Sequence, residues 1–307
     1  MYMLAFFNIG AHNKTIDFIE HTLHRSIPMN TAILKKASLK PLALLAVLPL
    51  ALTGCVSTAN ENSDANGEVS LVKSGTLSVC TNTPYKPFEY EENGTIVGLD
   101  ADIANAIASD LGVKAQLTSI SFEGLDSGTG LATGQCDIAL AGIGVTDERK
   151  SKMEFTTVYF DDNLAILVPK GSSITSAADL KGVSVGAQQA TSGETYAKEN
   201  GAEVIQYEDT SLMFSALKTG QVKAVAANLS VVSEALTNDP DSFKIAYQDS
   251  ENTEQIAAAV SSNNKALLTK ANATIAKLKE NGELDKMKAK WVGATSSTSA
   301  SASSSAS

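Results

Sequence analysis

Histidine is nearly missing from this 307-residue chain: His12, His21 and His24 are its three, and none follows residue 24. A histidine-based triad, a histidine-held metal and a haem site are thereby excluded from the body of the chain. Aromatic residues make up only 6% and charged residues 19%, with a net charge of -10. That balance offers no broad basic surface to a phosphate backbone, so nucleic acid is excluded as a partner. The apolar run at residues 41–52 falls short of the roughly 20 residues that a spanning helix needs, so no permanent transmembrane segment is expected. Cysteine is scarce too, at positions 55, 80 and 136. Against these absences stands a 43% hydrophobic content, enough to fill the core of two ordinary domains or one large one. Disorder as the main state is excluded.

Lys35, Lys36 and Lys40 precede the apolar run, and Thr53-Gly54-Cys55 follow it. Positive charge, grease and small residues in that order read as an export signal. Leu52-Thr53-Gly54-Cys55 resembles a bacterial lipobox, in which the cysteine is acylated and becomes the first mature residue; the alternative is a cysteine that merely ends a signal. Met29 begins a signal of ordinary proportions, which leaves residues 1–28 as an upstream extension and 1–54 as the segment removed. Residues 55–68 are small and polar and suit a flexible tether between lipid and domain. Residues 294–307 are only Ser, Thr and Ala, can bury nothing, and are expected to be disordered. Beyond residue 54 the chain is still more acidic and keeps one arginine, Arg149.

Between residues 69 and 293 short apolar runs alternate with helical stretches, the signature of α/β layers. Strands are predicted at 76–81, 137–141, 164–168, 183–187 and 222–227, mostly as continuous apolar runs buried on both faces. Asp100 is placed to cap a helix bearing Ile103, Ile107 and Leu111, which Gly112 stops. Leu267, Leu268, Ala271, Ile275 and Leu278 form a second stripe, closed by Asn281-Gly282. Each half also holds a strand, a turn and a helix start, at 141–146 and again at 186–194. Ligands bind at such strand ends, where helix N-termini present free N–H groups, and two facing lobes make a cleft.

Arg149 is the leading binding candidate on position alone. Thr146 can cap the helix that starts there, so Arg149 falls in the first turn, where the macrodipole opposes a cation by roughly 0.3–1 kcal/mol. A ligand carboxylate held by the guanidinium fork and free N–H groups offsets that cost. The alternative is a surface arginine paired with Asp147 or Glu148. Thr191-Ser192-Gly193-Glu194 has capping-box spacing and needs to be no more than a helix start.

A resemblance now joins these pieces. Tyr85-Lys86-Pro87-Phe88-Glu89-Tyr90, Gly98-Leu99-Asp100-Ala101-Asp102, Gly134-Gln135-Cys136-Asp137 with Ala141-Gly142, Val145-Thr146-Asp147-Glu148-Arg149, Tyr159-Phe160-Asp161, Asp179-Leu180-Lys181-Gly182 and Lys290-Trp291-Val292-Gly293 are each weak. In this order and spacing the chain resembles a solute-binding lipoprotein of the polar amino-acid ABC transporters, bacterial extracellular solute-binding protein family 3. The resemblance implies an α/β, two-lobed fold of the type II periplasmic-binding-protein kind, with two crossing segments and the ligand cleft between the lobes. Residues 69–166 and 260–293 would form lobe 1 and residues 167–259 lobe 2. A permease and its ATPase are the implied partners, the membrane is met through the lipid on Cys55 alone, and no cofactor or metal is implied.

The binding set that the resemblance implies is Asn82, Tyr85, Phe122, Ala141, Gly142, Gly144, Arg149, Gln188, Thr191, Ser192 and Asn228. Tyr85 and Phe122 would wall the ligand side chain, the alternative being plain core packing; Gly142 and Gly144 need only be turn glycines. Ala190 stands where the family usually has glycine, which predicts a looser approach of that loop. Gly144 replaces the usual serine or threonine, and Asn228 replaces the aspartate that pairs with the ligand ammonium. The amino group is then held weakly, held by another carboxylate, or absent. Asn82 stands where cation-binding relatives carry an acid, which argues against a Lys- or Arg-like ligand. Cyclohexadienyl dehydratases share the scaffold and use a general acid, for which Glu123, Glu194 or Asp161 would serve; a ligand sensor shares the binding chemistry. Lastly, the family's topology sets Cys80 on a strand beside the one that Cys136 precedes. With Cys55 committed to lipid, an even pair remains in an oxidising compartment, and a Cys80–Cys136 disulfide is predicted against the alternative of two buried thiols.

Overall fold

A computed structural model describes residues 69–293. The expectations for Cys55, the export signal, the tether and the terminal tail therefore lie outside the described residues. Two five-stranded sheets form the two lobes. In the first, the order is Lys114–Ser119, Thr76–Thr81, Ile138–Ala139, Ala259–Val260 and Glu154–Phe155. In the second it is Phe243–Ile256, Phe160–Pro169, Ala224–Asn228, Ser184–Gln188 and Glu203–Tyr207. Thr76–Thr81 and Ser184–Gln188 run parallel to both neighbours, Ile138–Ala139 and Ala224–Asn228 to one, and Ala259–Val260 and Phe160–Pro169 run antiparallel to both. These inner strands are largely buried, as their apolar runs require.

Local pattern explains the helices. In Leu99–Asp110 the residues Ile103, Ala104, Ile107 and Ala108 are buried, a 3.6-residue stripe laid on the first sheet. Lys265–Glu280 buries Leu267, Ala271, Ile275 and Leu278; the Asn264 side chain accepts from the Leu267 N–H, and Asn281 ends the helix before Gly282 at φ 74°. Asp100 departs from expectation. Gly98, not Asp100, is the N-cap of its helix, and Asp100 is buried. Its carboxylate accepts from the Gly142 N–H at 2.7 Å and from the Tyr159 hydroxyl at 2.7 Å. Burial pushes its pKa up to about 7.

Two strands differ from their predicted bounds. Residues 137–141 yield only Ile138–Ala139, because ladder partners on both sides are limited to two residues. The 222–227 run forms Ala224–Asn228. The predicted change of lobe between residues 166 and 167 also lies earlier: Phe160–Pro169 is one strand of the second sheet, paired along its length with Phe243–Ile256. The crossing segments precede Phe160 and follow Ile256, and they bind each other. Thr156 N–H donates to the Ala258 carbonyl at 2.8 Å and Tyr159 N–H to the Ile256 carbonyl at 3.0 Å.

Cys80 and Cys136 are disulfide-bonded, with 5.6 Å between Cα atoms. Both are buried beside Phe122, Leu125, Leu131, Ile143 and Met153. A tighter backbone constraint sits at Gly98, where φ is 133° and an added Cβ would lie 2.1 Å from the Phe88 carbonyl oxygen. The clash is with backbone, so no side chain can turn aside. Gly98→Ala is expected to destabilise the fold by about 3 kcal/mol, seen as a lower denaturant midpoint with an unchanged m-value; a midpoint equal to that of the parent would contradict it.

Candidate ligand-binding cleft

Arg149 lies in the short helix Asp147–Lys150, whose N-cap Thr146 accepts from the Arg149 N–H through its hydroxyl at 3.1 Å. The side chain is 4% exposed. Its guanidinium donates from Nε to Asp126 Oδ1 at 2.8 Å, from Nη1 to the Gly144 carbonyl at 2.8 Å and from Nη2 to the Ala190 carbonyl at 3.0 Å. Asp147 and Glu148 instead meet Lys150 and Lys152 at the surface. The ring of Phe122 lies 5.3 Å from the guanidinium carbon. Arg149 is thus a desolvated cation between the lobes, and two of the five N–H donors of a guanidinium have no partner among the described residues.

The loop of the second lobe comes close despite its alanine. Ala190 adopts φ 63°, the left-handed conformation that glycine favours, and so turns its carbonyl onto Arg149. Thr191 then caps Ser192–Glu199, accepting from the Glu194 N–H at 3.4 Å. Glu194 reaches back one residue further than a capping box does, accepting from the Ala190 N–H at 2.6 Å. Gly193 lets this helix end touch the strand Ala224–Asn228, since a Cβ there would lie 2.5 Å from the Ala226 carbonyl oxygen.

Tyr85 and Asn228 join the lobes across the cleft: the buried Tyr85 hydroxyl donates to Asn228 Oδ1 at 2.6 Å. Burial first, then the nearby Glu254 charge, pushes that hydroxyl well above the usual tyrosine pKa. Gln188 Nε2 donates to Asn82 Oδ1 at 2.6 Å, a second neutral bridge, while Asn82 Nδ2 donates to the Ile120 carbonyl at 2.7 Å. Gly142 packs under Tyr85, where a Cβ would meet the ring at 2.9 Å, and its N–H is committed to Asp100. Ala141 is buried in the apolar cluster beside Phe122. Tyr85, Gly144, Arg149, Ser192 and Asn228 are therefore brought together, Asn82, Gln188, Thr191 and Phe122 flank them, and Ala141 and Gly142 stand behind.

Three acids that local pattern does not single out complete the cleft. Asp126 pairs with Arg149. Asp162 is buried and accepts from the Ser230 hydroxyl at 2.5 Å and the Asn163 N–H at 2.8 Å; burial pushes its pKa up to about 7. Glu254, on the strand returning towards the first lobe, accepts from the Ser192 hydroxyl and from Asn228 Nδ2, the latter at 2.7 Å. The signal for Glu254 is indirect: a missing side chain at Gly144 and a missing charge at Asn228. Of the acids that a dehydratase would draw on, Glu194 is tied to Ala190, Gln206 and Lys198, Asp161 is exposed, and Glu123 accepts from Gln189 at the surface. A surface hollow of about 500 Å³ between the helices Leu99–Asp110 and Glu283–Trp291 is separate from these strand ends. Among the described residues no group of His, Cys, Asp and Glu is placed to hold a metal, and no helix is long and apolar enough to cross a membrane.

Residues 77–294 match the family described as bacterial extracellular solute-binding proteins, family 3. The chain is 31% identical over 254 residues to the arginine-binding extracellular protein ArtP of Bacillus subtilis, covering 81% of this chain and 96% of that one. To the L-cystine-binding protein TcyJ of Escherichia coli it is 28% identical over 267 residues, covering 85% and 98%. Among solved structures, an ancestral arginine-binding protein bound to glutamine superposes with a TM-score of 0.68 at 36% identity, over 72% of this chain and 99% of that one. Every residue of the cleft falls within residues 77–294. The chain therefore belongs to family 3 of the bacterial extracellular solute-binding proteins, with their two-lobed type II fold.

Proposed function

We propose that this chain is the extracytoplasmic, lipid-anchored binding component of an ABC importer, and that its two lobes close on a small polar solute with a carboxylate, an amino acid. The observation that carries this reading is Arg149. A buried guanidinium at the junction of the lobes, bonded to one backbone carbonyl from each and keeping two N–H donors, suits a carboxylate ligand and little else. Relatives named for binding arginine and cystine, and a neighbour bound to glutamine, support the amino-acid class. Asn82 and Gln188 form a neutral pair, which fits a ligand whose side chain carries no cation. A permease and its ATPase would take the solute onward, and acylated Cys55 would hold the protein at the outer face of the membrane.

A thermal-shift screen of the chain lacking residues 1–55, against the twenty amino acids and their des-amino acids, tests the reading. A ligand present at a thousand times its dissociation constant adds about 4 kcal/mol and raises the midpoint clearly. No shift with any of them would overturn it. The anchor is tested separately: labelled palmitate should enter the full chain and be lost in Cys55→Ser, whereas equal labelling of both would place the lipid elsewhere.

A further inference from the structure

The geometry points to Glu254 as the residue that takes the ligand's ammonium group, so that the negative pole of the site comes from the returning crossing strand and not from the strand that ends at Asn228. This rests on the amino-acid reading above and adds which residue recognises the amino group. A zwitterion with one carbon between its charges needs a cation and an anion facing one small space. Gly144 supplies that spacing. Its carbonyl accepts from Arg149 Nη1, while its α-carbon lies against the Glu254 carboxylate so closely that a Cβ at 144 would come 1.8 Å from Oε1. Any side chain at position 144 would drive Glu254 out. Glycine at 144 and a carboxylate from 254 are therefore one arrangement.

Asn228 completes it. Its Oδ1 already accepts from the Tyr85 hydroxyl, which leaves the neutral amide one lone pair, and its Nδ2 donates to Glu254 Oε2. Asn228 thus holds the carboxylate rather than substituting for it. Ser192, at the N-terminus of an eight-residue helix, donates to the other oxygen. A carboxylate has about four acceptor sites; two are used here, and the rest are free for the N–H groups of an ammonium. Asp162 is closer to full burial and takes three donors, the Ser230 hydroxyl, the Ser230 N–H and the Asn163 N–H, against two on Glu254, so Glu254 is the acid with more acceptor capacity in the cleft.

The experiment titrates the twenty L-α-amino acids, and the matching acids with hydrogen in place of the amino group, into the unaltered chain and two variants. Glu254→Gln keeps the shape and removes the charge. It should weaken the best-bound amino acid about tenfold to a hundredfold, as expected for trading a charged acceptor for a neutral one, and should leave or improve binding of the des-amino acid. Adding Asn228→Asp to Glu254→Gln returns a carboxylate to the same space and should recover most of the loss. Equal affinity of Glu254→Gln and the parent for the amino acid would overturn the inference. So would tighter binding, which would make Glu254 a plug that the ligand displaces, and so would parallel loss of both ligand series, which would make it a packing residue. If no amino acid binds the unaltered chain, the amino-acid reading itself fails and this inference with it; binding by the parent with no response at 254 sinks this inference alone.

Discussion

Arg149→Ala is expected to abolish measurable ligand binding and leave the chain folded. Removing one partner of a desolvated charge pair costs roughly 2–5 kcal/mol, a rise in dissociation constant of about 30-fold or more. Three losses coincide: the donors for the ligand carboxylate, the bond to the Gly144 carbonyl, and the bond to Ala190 that helps hold the second lobe closed. The fold should survive because Asp126, the anion left behind, is partly exposed and has Lys152 at 3.6 Å. Arg149→Lys should fail nearly as badly, since one ammonium cannot serve Asp126, two carbonyls on different lobes and a ligand at once. Calorimetric titration decides the matter, and an affinity of Arg149→Ala within a few-fold of the parent would remove Arg149 from the site.

Reduction of the Cys80–Cys136 bond is expected to have the largest effect on stability. The bond closes a loop with a sequence separation of 56. Chain-entropy reasoning places the stabilisation at about 4 kcal/mol as an upper figure, which for a domain of this size is a fall in melting temperature on the order of 10 °C. The thiols would return to an apolar cluster that already suits them, with Leu125, Leu131 and Met153 as neighbours, so ligand affinity should be largely kept. A chain lacking Cys55, purified without reductant, should show no free thiol in denaturant. Two titratable thiols in that material, or a melting temperature indifferent to reductant, would refute the expectation.

How far each feature could be read from the sequence follows from how local its causes are. Leu99–Asp110 and Lys265–Glu280 were legible because a 3.6-residue apolar stripe and a glycine after the end act within one segment. The strand Ile138–Ala139 was predicted too long because its length is set by what pairs on either side, which the run of apolar residues does not record. Asp100 looked like a cap, since an acid at a helix start usually is one. Its burial beneath Gly142 and Tyr159 depends on a turn 42 residues away and a segment 59 residues away.

By itself, the sequence determined the α/β layering and the kinship of the chain, and it singled out Arg149 as the sole arginine after residue 54, because composition, period and motif order are properties of the chain taken one stretch at a time. Tertiary structure alone decided what Arg149 and Asn228 touch. Asp126 and not a helix neighbour neutralises the guanidinium, and Glu254 fills the space over Gly144, 62 residues along the chain from Ser192 and 26 from Asn228. Nothing around residue 254 marks it, for it stands among polar neighbours on a long strand. Electrostatic pairing depends on distance in space, and only the closing of two sheets along their crossing segments brings these charges within reach of one another.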